Sequence, residues 1–150
     1  MDVNDLISVA SQLFNEKKYA EAIEKLHQAW DGITDKNTQI REQIGIQSGF
    51  GRCYFEQAMK AKDTDEADKL FEKAVEHYQE WLRLAKQLAD EQNNIQQQID
   101  AQFWLANCYL EQAMETKGID KADDLFKKAG KHYLNSLQLV KKLEKNDPYS

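Results

Sequence analysis

CYFEQAMKAKDTDEADKLFEKAVEHYQEWLRLAKQL, residues 53–88, returns as CYLEQAMETKGIDKADDLFKKAGKHYLNSLQLVKKL, residues 108–143, with 20 of 36 positions identical. The second block begins 55 positions after the first. Identity at that level means one structural unit used twice, so the chain is expected to fold as a stack of repeats. Repeat stacks present extended faces to other macromolecules, which turns the reading toward binding rather than chemistry.

The second half of each block fixes the class of secondary structure. Ala67, Phe71, Ala74, Tyr78, Trp81, Ala85 and Leu88 follow a 3–4 spacing, and Ala122, Phe126, Ala129, Tyr133, Ser136, Val140 and Leu143 repeat it. Alternating small and aromatic residues at that spacing let neighbouring helices approach and interlock. A further apolar line at Leu70, Leu84, Leu125 and Leu139, with Leu82 and Leu137 beside it, means that these helices contact more than one neighbour. Strand signals are missing, because no stretch alternates polar and apolar residues. The only proline is Pro148, so nothing inside the chain forces a helix to break. An all-α fold follows.

Six helices are expected, over residues 3–15, 19–31, 39–61, 64–91, 95–116 and 120–145. Lys17 and Lys18 make a short turn, Gly32 ends the second helix, and TDKNT (34–38) is a polar loop. Asp63 with Glu66 reads as a capping box, and Asn93–Asn94 separates the long units. The 150 residues suffice for one domain with a real core, with repeat units at about 3–36, 38–92 and 94–146.

Composition narrows the partners. With 31% charged and 41% hydrophobic residues the chain is expected to fold, and its net charge of −6 argues against nucleic acid. No run approaches the ~18 apolar residues of a membrane span, and the first residues lack the pattern of a signal peptide. Cys53 and Cys108 stand at equivalent places in the two copies. A disulfide and a pair of equivalent core positions are both readings; repeat equivalence favours the second, and with it a reducing, cytoplasmic setting.

These residues resemble the tetratricopeptide repeat, whose first helix carries Trp, then Leu-Gly, then Tyr, and whose second carries Ala, Phe or Tyr, and Ala. The first unit reads Leu6, Val9–Ala10 and Leu13, then Ala22, Leu26 and Ala29. The second reads Gln47, Phe50–Gly51 and Tyr54, then Ala67, Phe71 and Ala74; the third reads Gln102, Leu105–Ala106 and Tyr109, then Ala122, Phe126 and Ala129. The interval from Leu13 to Ala22 is nine residues, but those from Tyr54 to Ala67 and from Tyr109 to Ala122 are thirteen. Four extra residues are about one helical turn, so the second and third units should have lengthened helices. The resemblance implies a right-handed α-solenoid of about three antiparallel hairpins, with the first helices lining a groove.

Catalytic and metal chemistry are weakly represented. His77 and His132 are repeat equivalents, and duplication of one helix residue accounts for both. Counted from Asp63 as a calcium loop, the sixth position is Asp68 rather than Gly and the twelfth is Ala74 rather than Glu. These acids read instead as caps and first-turn charges. No phosphate loop or nucleophile–base set is present, so neither an enzyme nor a cofactor is expected. Chaperone-cofactor members of the family hold a peptide carboxylate with Lys, Asn and Arg, but the matching positions are Ile7, Ser11, Gly49, Asp100 and Trp104. That mode is not expected.

The candidate groove residues are Ser48, Arg52, Phe55, Phe103 and Asn107. Gly45 and Gly49, four apart on one helix face, invite close approach by a neighbouring helix or a bound peptide. The leading expectation is a scaffold or adaptor binding a peptide or helix of a partner protein. The alternative is a self-assembling structural protein, a homodimer or oligomer formed through the terminal repeat, where Leu125, Leu137 and Leu139 are expected to be partly exposed.

Overall fold

The computed structural model describes residues 1–146; Pro148 lies outside them. The described residues form six helices and no strands. They are α1 (Val3–Asn15), α2 (Tyr19–Asp31), α3 (Ile40–Lys60), α4 (Thr64–Ala85), α5 (Glu91–Glu115) and α6 (Ile119–Lys145). The first two have 13 residues each, and α3 to α6 have 21, 22, 25 and 27. None is long and apolar enough to cross a membrane.

Local chemistry accounts for most of the ends. Asp2 accepts a hydrogen bond from the Asp5 amide and starts α1, and Asp63 accepts from the Asp65 amide and starts α4. Helix α1 stops at a turn in which Lys17 takes φ 64° and the Lys18 amide reaches back to the Leu13 carbonyl. Gly32 caps α2 with right-handed backbone. Its lack of a side chain is used for packing, because a Cβ there would lie 2.9 Å from Val3.

The turn between α4 and α5 differs from the sequence expectation. Helix α4 ends at Ala85 rather than at residue 91, and α5 begins at Glu91 rather than at residue 95. Asp90 accepts from the Gln92 amide and so nucleates α5 early. Asn93 and Asn94 therefore lie inside α5, and the Asn94 side-chain amide donates to the Leu88 carbonyl to close the turn. The connection between α4 and α5 therefore spans residues 86–90.

Each helix packs on its sequence neighbours, and α3 also approaches both α1 and α5. One buried cluster, with Leu6, Ala10, Leu26, Ile46 and Phe50, joins α1, α2 and α3. A larger one, with Phe55, Phe71, Tyr78, Trp81, Leu105 and Leu125, joins α3 to α6. Complete burial of the Phe71 ring contributes about 1.5–3 kcal/mol. Cys53 and Cys108 are both free and buried, at equivalent places in the two units.

Helix α4 is held on its outer side by α5. The Cys108 thiol donates to the Phe71 carbonyl at 3.5 Å, and the Trp81 indole N–H donates to Gln97 at 2.9 Å. Asp68 accepts from Gln112 of α5 and pairs with Lys121 of α6 at 3.0 Å. Helix α6 has the same pattern, but among the described residues only α5 packs on it. Phe71 is 0% exposed and its equivalent Phe126 is 46% exposed. Of the three leucines expected to be partly exposed, Leu137 is exposed and Leu139 intermediate, but Leu125 is buried in the larger cluster because it faces inward.

Candidate functional site

Helices α1, α3 and α5 approach one another in succession. Between α1 and α3 lies a cleft of about 210 Å³, floored by Leu26 of α2. Ile7, Ala10, Ser11, Phe14 and Asn15 form one wall, and Gly45, Gly49, Arg52 and Cys53 form the other. The glycines hold the cleft open. A Cβ on Gly45 would stand 3.6 Å from Ile7, an ordinary contact, whereas one on Gly49 would press Leu26 at 3.1 Å. The close approach foreseen for this pair is thus made by neighbouring helices, and open space remains beside it.

Arg52 closes one end of the cleft. Its guanidinium lies 4.5 Å from the Phe14 ring centroid and 5.4 Å from that of Trp104, spanning α1, α3 and α5. Rings on both sides favour the cation. Among the described residues no carboxylate forms an ion pair with it, so its five donors remain available to an incoming acceptor. Burial pushes the neighbouring Cys53 thiol up to about 11, against a small opposing effect of Arg52, so the thiol in the wall is protonated at neutral pH.

The five sequence-chosen residues do not form one site. Arg52 is exposed at the cleft. Ser48 is half-buried, and its hydroxyl donates to the Gly45 carbonyl of its own helix at 3.3 Å. Phe55, expected in the groove, is buried in the core and meets Phe71 and Trp104 edge to face at 6.1 and 6.0 Å. The reason is that α3 is apolar on several faces, and position 55 turns toward α4 and α5. Phe103 meets the Tyr133 ring at 6.0 Å, and Asn107 accepts a hydrogen bond from the Tyr133 hydroxyl. Those two belong to the α5–α6 contact, and Phe103 also meets the Trp104 ring edge to face at 6.2 Å.

Phe14, Leu26 and Trp104 were absent from the chosen set. Trp104 had a signal, since it stands where the preceding copy has Gly49. The tryptophan fills the space between α3 and α5, stacked at 6.1 Å on Tyr78, that the glycine leaves empty between α1 and α3.

A second duplicated arrangement is structural. His77 Nδ1 lies 2.6 Å from Gln47 Oε1, and His132 Nδ1 lies 2.5 Å from Gln102 Oε1. The amide oxygen accepts, so Nδ1 carries the proton in the neutral ring. His77 also stacks on Tyr54 at 5.5 Å and His132 on Tyr109 at 5.6 Å. Gln47 and Gln102 thus pin α3 to α4 and α5 to α6. Among the described residues no three His, Cys, Asp or Glu side chains form a ligand set for a metal.

The pinned histidines make stability depend on pH. Burial, then the charge of His27, lowers the His77 pKa from 6.5 to about 4, and burial lowers that of His132. The unfolded chain binds a proton near pH 6.5 and the folded one only near pH 4. The contribution to stability is therefore full above pH 6.5 and is lost as pH falls toward 4. His77→Gln, which keeps a donor to Gln47, is expected to narrow the drop in melting temperature between neutral pH and pH 4. An undiminished drop would remove His77 from the account.

No protein-family model matches the chain, and no curated protein or solved structure matches it.

Proposed function

We propose that this chain is a scaffold or adaptor of the tetratricopeptide kind, a right-handed solenoid of three antiparallel hairpins that binds a segment of a partner protein along α1, α3 and α5. Two arrangements support the stack. The first helices approach one another in succession while α2, α4 and α6 do not, among the described residues, and the 55-residue offset relates the starts of α4 and α6, Thr64 and Ile119. A groove lined by first helices follows from that order.

The cleft at Arg52 is the observation that carries the binding reading. Its about 210 Å³ is below the ~300–1,000 Å³ of pockets that enclose small molecules, and suits an apolar side chain of a peptide lying across α1 and α3. Arg52 then takes an acidic side chain or terminal carboxylate of the same segment, where a charge-assisted, bidentate bond supplies orientation. Arg52 is the one cation among the described residues that line the cleft, and so the local attractor for such a group.

Peptides selected by display on the intact chain test the reading. They are expected to pair an acidic residue with an apolar one and to lose about 10–100-fold in affinity on Arg52→Ala, the worth of one charged hydrogen-bonded contact. Gly45→Leu, whose Cβ meets only ordinary contact, should fill the cleft and abolish binding with helicity unchanged. Asn107→Ala should leave affinity as it was. Selected peptides that bind both Arg52→Ala and Gly45→Leu like the parent chain would sink the groove.

A further inference from the structure

One face of α6 carries the apolar residues of an inner helix, and no other described helix packs on it. Phe126, Leu134 and Leu137 are 46%, 54% and 52% exposed, and Ile119 is 85% exposed. Positions 119, 126, 130, 133, 134 and 137 keep the 3–4 spacing of a single helix face. Phe103 of α5 extends the patch beside Tyr133. Gly130 lies in the middle, and a Cβ added there would meet nothing within 4 Å. Solenoids close with a polar outer helix. The other end has one, since α1 exposes Asn4, Asp5, Ser8, Ser11 and Gln12.

The charges on α6 select the occupant. Its first turns carry Asp120, Asp123 and Asp124 with one cation, Lys121, and its last turns carry Lys141, Lys142 and Lys145 with one acid, Glu144, so the two ends are net acidic and net basic. Asp68 of α4 reaches α5 and α6, whereas its equivalent Asp123 pairs within its own helix, with Lys127. A second α6 laid antiparallel places acids against lysines at both ends by symmetry and opposes the two helix dipoles. In the register that sets Asp123 opposite Lys141, Gly130 falls opposite Leu134 and Phe126 beside Leu137. Small then meets large, as a close helix crossing requires. The polar α1 face offers no apolar complement, so continuation head to tail is disfavoured.

We propose that a second copy of this chain covers the α6 face, making a two-fold symmetric dimer whose axis passes at the level of residues 130–134. Such a contact is isologous and closes at two subunits rather than growing into a filament. It is independent of the α1–α3 cleft, which lies at the other end of the stack and stays open in both subunits.

Sedimentation equilibrium of the intact chain over a concentration series tests this. The parent chain, of 17.5 kDa, is expected to reach twice that mass. Leu137→Glu, a change at an exposed position, should leave helicity intact and weaken dimerisation at least about 100-fold, since it forces an unpaired charge into the contact. Lys141→Glu should weaken it less, by bringing acid against Asp123 of the other copy, and adding Asp123→Lys should restore it. The last variant separates this antiparallel register from any unspecific apolar association. A chain that stays monomeric throughout, because this face serves a different protein, would overturn the proposal. So would a dimer indifferent to Leu137→Glu, or a charge reversal that fails to recover.

Discussion

Phe71→Ala is expected to remove about 3–5 kcal/mol of stability, a large part of the ~5–15 kcal/mol typical of a domain. The ring is 0% exposed and lies edge to face with Phe55 at 6.1 Å, while the thiol of Cys108 bonds its carbonyl. Helices α3, α4 and α5 all meet there, so the space left by the ring cannot collapse from one side. The same substitution one repeat later should behave differently. Phe126 is 46% exposed, and at concentrations where the chain is monomeric its loss should stay within about 1 kcal/mol. Urea unfolding with an unchanged slope measures both. Equal losses at the two positions would contradict the difference in cover between α4 and α6.

Gly51→Ala should also destabilise, by about 1–3 kcal/mol, although alanine is favoured over glycine in a helix interior by about 1 kcal/mol. A Cβ at position 51 would clash with Cε1 and Cδ1 of the Tyr78 ring. Tyr78 is fully buried, with Trp81 and Trp104 each 6.1 Å away by ring centroid, so its ring has nowhere to swing. Steric conflict therefore outweighs propensity. Gly130→Ala supplies the opposite sign, because its Cβ meets nothing within 4 Å, and a gain of about 0.5–1 kcal/mol is expected in the monomer. Thermal unfolding reads these as shifts of roughly 2–4 °C per kcal/mol for a chain of this size. A more stable Gly51→Ala would show that α3 and α4 do not cross as closely as this.

The all-helical architecture was legible because the evidence for it is periodic and repeated. Ala67, Phe71, Ala74, Tyr78, Trp81 and Ala85 are all buried as their spacing implied, and α1 and α2 end where the Lys17–Lys18 turn and Gly32 suggested. The end of α4 was not legible. Leu88 continues the apolar line past the true stop, no Gly or Pro interrupts it, and the decisive signal, Asp90 as the cap of α5, is one acid among many.

The candidate site was only partly readable for a related reason. A helix packed on several sides is apolar on several sides, so spacing alone could not tell that Arg52 faces the cleft while Phe55 faces the core. Comparison between copies carried more information than periodicity did. Gly49 against Trp104 marks where a groove is open and where it is filled, and the recurring Gln47–His77 and Gln102–His132 spacing marks a contact that both copies keep. Phe126 matches Phe71 in sequence, but its exposure depends on whether another helix lies over it, and that is a property of its neighbours in the fold.

The packing of every helix on its neighbours in the chain bears on how the molecule is made. No described helix touches another more than two places away, so each contact closes a short stretch of chain and little loop entropy is lost before native contacts compensate. Topologies of this kind belong among the microsecond-to-millisecond folders. Helices α1 and α2 are complete once Asp31 has been synthesised, and each later helix emerges beside the surface it will cover. Assembly can thus follow the order of synthesis, each hairpin docking on a surface that is already in place.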